Sequence, residues 1–232
     1  MRNNVDEHAD PQNLQGVLMC TRIIPLEKLI SKEIYCILLR IRDHNPTAKQ
    51  KFNTKFENLT ELEWSKIYML PRRTTRDAYL RYFQYKMLNN VLYLNDKLFI
   101  FGLATTKNCY FCNEHEETIS HIFSVCTHSK KLWEEIIVFF NPILDIPRLT
   151  TQSALLGFTE NDIDINNILI NHLLLLFKLF IYKSREGKKL PFPSLLVEIK
   201  NVCKLEIQTE EILKKNKFYS HKWSCIRQLL TC

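Results

Sequence analysis

The stretch Cys109-Tyr110-Phe111-Cys112-Asn113-Glu114-His115-Glu116-Glu117-Thr118-Ile119-Ser120-His121-Ile122-Phe123-Ser124-Val125-Cys126 decides how the chain is read. Two cysteines separated by two residues form a knuckle whose thiolates can grip one tetrahedral ion. A short helix starting near Thr118 would supply His121 and end by delivering Cys126. Three thiolates and one imidazole close the coordination sphere of Zn2+ and leave no position for a catalytic water. The expected ion is therefore structural, held by Cys109, Cys112, His121 and Cys126, and its ligation should fold a segment too small to hold a core alone.

Other readings of these residues remain open at this point. His115 and His128 are rival nitrogen ligands, the cysteines could be ordinary buried thiols, and Cys109/Cys112 could be a redox pair. The redox reading lacks the strand and the βαβ pattern that a thioredoxin-like centre needs. The remaining five of the eight cysteines read as packing residues.

Outward from the knuckle, the chain reads as all-α. Only four glycines in 232 residues leave little material for the tight turns of hairpin-rich sheets, and 46% hydrophobic content supplies a real core. Apolar residues recur at helical spacing between Leu26 and Arg42 (Leu29, Ile30, Ile34, Tyr35, Leu38), and a short helix is expected around Leu62–Tyr68. Pro71 to Arg76 reads as a basic loop in which Thr75 caps a helix over Arg76–Asn90. Asn95 is expected to cap a further short helix that Gly102 stops. Beyond the knuckle, Trp133, Ile136, Ile137 and Phe140 form another helical stripe, and a long helix begins near Ser194 with Leu196, Ile199 and Cys203 on one face. Glu210→Lys214 and Glu211→Lys215 are i,i+4 pairs in the favoured order.

The expected organisation is a loose lead-in over residues 1–25, a helical connector over 26–70, and a helical pair with the zinc-binding domain over 71–140. A linker over 141–167 and a C-terminal helical region over 168–232 complete it. The longest apolar run, Ile168 to Tyr182, is interrupted by Asn171, His172 and Lys178, so a buried helix is expected rather than a membrane span. His172 reads as a hydrogen-bonded core residue. The polar, acidic start lacks a signal-peptide pattern, and an intracellular site, nucleus or cytoplasm, is expected.

Lys+Arg 32 against Asp+Glu 25 gives a net charge of +7, which favours a polyanionic partner. Arg72, Arg73, Arg76, Arg81 and Lys86 interleave with Tyr79, Tyr82, Phe83 and Tyr85 just ahead of the knuckle, a pattern suited to RNA or DNA, since cations meet phosphates and exposed rings stack on bases. The competing reading is a packed aromatic core under a solvated charged face. Lys183, Arg185, Lys188 and Lys189 read as a solvated basic turn. Glu198 and Lys200, with Asp162 and Asp164 upstream, resemble a nuclease Glu-x-Lys set, but they fall in a helical stripe where that chemistry needs a strand.

Phe83-Gln84-Tyr85-Lys86-Met87-Leu88-Asn89-Asn90, Asn95, Leu98, the cysteine pair, Glu117-Thr118-Ile119-Ser120-His121-Ile122-Phe123, Cys126 and Trp133 together resemble the zinc-binding C-terminal segment of LINE-type (non-LTR) retrotransposon reverse transcriptases. The likeness extends loosely over residues 29–230. It implies the ligands Cys109, Cys112, His121 and Cys126, and a segment that helps hold template RNA or target DNA. The chain shows no Tyr-x-Asp-Asp or similar acidic pair for two-metal nucleotidyl transfer, so no catalytic residues, no enzymatic activity and no small-molecule substrate are expected. The alternatives are a zinc-stabilised protein-interaction module or a non-functional retroelement fragment.

Overall fold

A computed structural model describes residues 17–19, 22–24, 30–31, 34–35, 38, 47–56, 59–159, 164–185, 191–214 and 217–230. The chain divides into two units, Met1–Pro46 and Thr47–Cys232. In the first, β1 (Val17–Met19) and β2 (Arg22–Ile24) pair antiparallel with Leu18 opposite Ile23, and Ser31, Ile34, Tyr35 and Leu38 are helical. Ile30 is described but not helical, and the remainder of the helix expected over Leu26–Arg42 lies outside the described residues, as do Lys188, Lys189 and Lys215.

The second unit is all-α: α1 (Thr47–Asn53), α2 (Glu61–Thr74), α3 (Ala78–Leu88), α4 (Asn95–Ile100), a π-helical turn (His121–Val125), α5 (Thr127–Phe140), α6 (Thr151–Leu156), α7 (Ile165–Ser184), α8 (Phe192–Ile212) and α9 (Phe218–Arg227). Helix α7 is its axis, packing against α2, α3, α8, α9 and the π-helical turn. It is long and apolar enough to cross a membrane by length and composition, but most of it is buried among these neighbours. Lys178, wholly buried in α7, donates to Gln84 Oε1 at 2.7 Å and the Leu155 carbonyl at 3.3 Å. Burial pulls its ammonium down to about 7, its partners here being a neutral amide and a carbonyl.

Several local expectations are corrected. The basic segment after Pro71 is not a loop: α2 runs through Pro71 to Thr74, so Arg72 and Arg73 ride on its last turn. A capping box between Thr60 and Glu63 starts this helix, and the buried face of Trp64, Ile67, Leu70, Pro71 and Thr74 carries it past the proline. The cap of α3 is Asp77, accepting from the Tyr79 and Leu80 amides at 2.7 and 3.4 Å, while Thr75 Oγ1 accepts from the Asp77 amide and donates to Glu206. Glu210 does not serve Lys214. Its carboxylate accepts from the Tyr219 and Ser220 amides at 2.7 and 2.9 Å and so fixes the start of α9. Gly102, at φ +70°, is the left-handed stop expected after α4.

The stretch 141–167 contains α6, with Ala154, Leu155 and Leu156 buried. Gly157 ends α6 at φ +89°, where an added Cβ would lie 2.4 Å from Leu70 Cδ2 and 2.8 Å from Asn171 Oδ1. Asn171 cannot yield easily, since its amide holds both the N–H and the carbonyl of Phe158. Gly157→Ala is expected to cost roughly 2–4 kcal/mol, combining left-handed strain with overpacking, and thermal denaturation should show a melting temperature lower by roughly 5–15 °C.

Candidate metal centre

Residues 107–117 fold back on themselves: the Glu117 amide donates to Lys107 O and the Cys109 amide to His115 O, at 2.8 and 2.7 Å. Asn113 takes a left-handed conformation at φ 57°, and its amide donates to Cys109 O at 2.8 Å. This closes the knuckle and turns both cysteine side chains inward. The other two ligands follow from an unusual turn. The Cys126 amide donates to His121 O at 2.8 Å, a five-residue closure that spans His121 to Cys126 and hands the chain to α5. A regular α-helix was the simpler expectation for this segment; the wider turn is what brings residues five apart to one point.

The ligand atoms of Cys109, Cys112, His121 and Cys126 all lie within 4.8 Å of one another. Cys109 Sγ is 3.9 Å from Cys126 Sγ, and Cys112 Sγ is 3.3 Å from His121 Nε2. With Zn–S bonds of ~2.3 Å, the edge between two sulfurs of a tetrahedron is ~3.8 Å, and a sulfur–nitrogen edge is slightly shorter. The cluster is already at metal-binding spacing. Its electrostatics point the same way. Burial pushes the Cys109 thiol up to about 12; the Cys112 and Phe111 amides oppose this in part, and the neighbouring sulfurs of Cys126 and Cys112 add to it. At Cys112 burial opposes ionisation, but the amides of Glu114 and His115 and the side chains of His115 and His121 prevail and bring it to about 6. Three sulfurs so close ionise together only around a cation, and a bound Zn2+ would supply that charge.

The converging cluster includes neither rival nitrogen, although the His115 side chain reaches Cys112. The His115 ring is exposed and stacks on that of His121 at 5.4 Å between centroids, backing the ligand, while His128 stacks on Phe111 at 4.5 Å. The floor of the site is apolar: Ile122 and Phe123 are buried, and Trp133 Nε1 donates to Phe123 O at 2.9 Å, tying α5 to the turn.

The basic and aromatic residues separate into two groups. Phe83 is buried, whereas Tyr79, Tyr82 and Tyr85, three apart along α3, are 57%, 55% and 56% exposed. Arg72, Arg73 and Arg76 are exposed at the α2–α3 corner, with the Arg76 guanidinium 5.3 Å from the Tyr219 ring. Lys86 Nζ lies 4.4 Å from the Tyr82 ring centre. Arg81 turns back instead, its Nε donating to Thr75 O at 2.7 Å, and braces the corner. Lys183 pairs with Glu198 at 2.7 Å, Asp164 caps α7, and Asp162 lies outside the described residues.

Sequence reasoning missed Glu117 and Arg185 as a pair. Arg185, expected in a solvated basic turn, is buried and donates from Nε to the buried Glu117 carboxylate at 2.7 Å. No periodicity links residues so far apart; the one available signal was an acid, Glu117, placed just before a helical turn with an apolar face.

Residues 31–133 match the protein-family model described as zinc-binding in reverse transcriptase. The match contains all four ligands and ends at Trp133, covering less than half of the chain. That segment is similar to the zinc-binding domain found in reverse transcriptases. No match is found among curated proteins. None is found among solved structures either.

Proposed function

We propose that the protein is a nucleic-acid-binding segment of LINE-type (non-LTR) reverse-transcriptase descent, in which a structural zinc stiffens a helical platform that holds RNA or DNA. It has no catalytic role of its own in this reading. The observation that carries the proposal is the solvent-facing row Tyr79, Tyr82 and Tyr85 beside Arg72, Arg73 and Arg76. Tyrosines that could have packed inward are held out in water on a well-capped helix. Exposed rings of this kind offer stacking to unpaired bases, and the adjacent guanidiniums offer contacts to phosphates. With four protein ligands the zinc would fix the position of α5 and the preceding turn, and it would offer no open site for chemistry.

Titration of a fluorescent single-stranded RNA across a salt series tests this. Changing Arg72, Arg73 and Arg76 together to alanine should reduce the log–log salt slope by about 2, the loss of three phosphate contacts at ~0.7 each. Tyr82→Ala should weaken binding about 5- to 150-fold at every salt concentration, the range for one lost base stack. Binding that ignores salt, or survives both changes, removes the reading. A second reading, a protein-interaction module, draws on one feature: Val91, Tyr93, Ile100, Phe101 and Leu103 are all at least half exposed around α4. It is favoured if RNA fails to bind and a Phe101→Ser variant gains solubility.

A further inference from the structure

Glu117 stands just ahead of the turn that carries His121, and its carboxylate serves three separate pieces of the chain. Oε2 accepts the Tyr110 amide at 2.8 Å, within the Cys109–Cys112 knuckle. Oε1 accepts the Asn95 amide at 2.8 Å, the first of α4, and the Arg185 Nε at 2.7 Å. Arg185 directly follows α7, and its Nη1 donates to Tyr93 O at 2.6 Å. Glu117 is 0% and Arg185 5% exposed. An arginine stays charged at any physiological pH, and a buried carboxylate needs a cation to remain ionised, so each requires the other. Removing Arg185 would leave the buried Glu117 carboxylate without its cation and free to rotate towards water, and the Tyr110 amide would lose a charge-assisted acceptor.

We propose that Arg185, outside the segment matched to the zinc-binding family, is a positioning residue for the metal centre, acting through Glu117 on the backbone between the two knuckle cysteines. The proposal rests on the assignment of zinc to the four-residue cluster. Its consequence is that metal affinity depends on whether the end of α7 is seated, and by linkage that metal binding tightens that seat. Glu117 is to the knuckle what an outer hydrogen-bond partner is to a metal-bound side chain: it fixes ligand orientation without touching the ion.

The experiment uses the full chain and measures zinc affinity by competition with a chromophoric chelator, with Co2+ substitution as a spectroscopic check. Wild-type protein should bind one equivalent, and Co2+ should show thiolate-to-metal charge-transfer bands. Failure at this stage overturns the zinc assignment itself. Given wild-type binding, Arg185→Met should weaken zinc about 10- to 100-fold, keep the thiolate bands and shift the ligand-field bands. Glu117→Gln should weaken it similarly, and the double variant should be no weaker than the worse single one, since both act through one contact. Affinity unchanged in Arg185→Met, or losses that simply add in the double variant, overturns the proposal. If Arg185→Met does not fold with zinc present, Arg185→Lys supplies the same readout: it keeps the charge but cannot span both Glu117 and Tyr93 O, so an intermediate loss is expected and wild-type affinity refutes the role.

Discussion

Stripping the metal with a strong chelator, or replacing Cys126 by serine, is expected to melt the region from the knuckle through α5. Zinc-finger-type sites have apparent binding energies of ~10–16 kcal/mol at neutral pH, as large as the whole ~5–15 kcal/mol stability of an ordinary domain. Cys109 and Cys126 are 0% and 1% exposed, and Cys126 is also the residue from which α5 starts. Losing the ion would leave buried sulfurs that repel one another if ionised, at the one point where the knuckle joins a turn otherwise packed on α5, α6 and α7. The readout is one zinc per chain by elemental analysis, together with loss of the near-ultraviolet circular dichroism of Trp133 on chelation. Protein purified without chelator that is zinc-free yet melts like the zinc-loaded form would falsify the structural role.

The second large effect concerns a buried charged network on the N-terminal half of α7. Lys222 Nζ meets Glu206 Oε2, His172 Nδ1 at 2.9 Å and Thr74 O at 3.1 Å, while Trp223 Nε1 donates to Glu206 Oε2 at 2.8 Å. The group joins α2, α7, α8 and α9. His172, as expected, is a hydrogen-bonded core residue; burial and, next, the Lys222 charge hold its pKa well below the usual value. It is neutral, so Nδ1 accepts from the lysine. Lys222 is itself lowered by burial, and Glu206 offsets part of that shift. Glu206→Ala would remove the only carboxylate among these partners and leave the ammonium buried without a counter-charge, at a cost of ~3–5 kcal/mol in denaturant titrations near neutral pH.

The sign of its pH dependence follows from linkage. Without Glu206 the folded-state pKa of Lys222 falls further below the unfolded ~10.4. Between those two values the unfolded chain holds a proton that the folded chain has shed, so stability increases with pH. The deficit of Glu206→Ala relative to wild type should therefore be largest below the folded pKa and shrink as pH rises towards 10. Comparing the two proteins at each pH cancels the contribution of Lys178, whose depressed pKa acts equally in both. A deficit independent of pH would assign the loss to packing alone.

The four-residue cluster was legible because coordination imposes spacing: a two-residue gap between cysteines and a histidine five residues before the last thiol survive as a local pattern. Helical content was legible from periodicity, which located α3, α5, α7 and α8. Helix ends were less so. Pro71 misleads because a proline near a helix end is tolerated when the buried face on either side outweighs the lost hydrogen bond, and that balance is tertiary. Thr75 and Asp77 are both capping residues two apart, and because α2 runs on to Thr74, Thr75 closes that helix and the cap of α3 falls to Asp77. Exposure was only partly legible on α3: Phe83 and the three tyrosines are all aromatic, and although the hydroxyl makes tyrosine the more tolerant of water, what separates them is which side of the helix faces the core. Arg185 reads as one more cation in a basic run until its partner across the fold is seen.

The Arg185–Glu117 pair also bears on where the chain can be cut. A fragment tailored to residues 31–133 would carry every sulfur and nitrogen needed for the ion, yet it would strand an acid in an apolar shell and strip the long central helix from its neighbours. Such an excised piece would grip its metal loosely and clump, and its shortcomings would describe the scissors rather than the molecule.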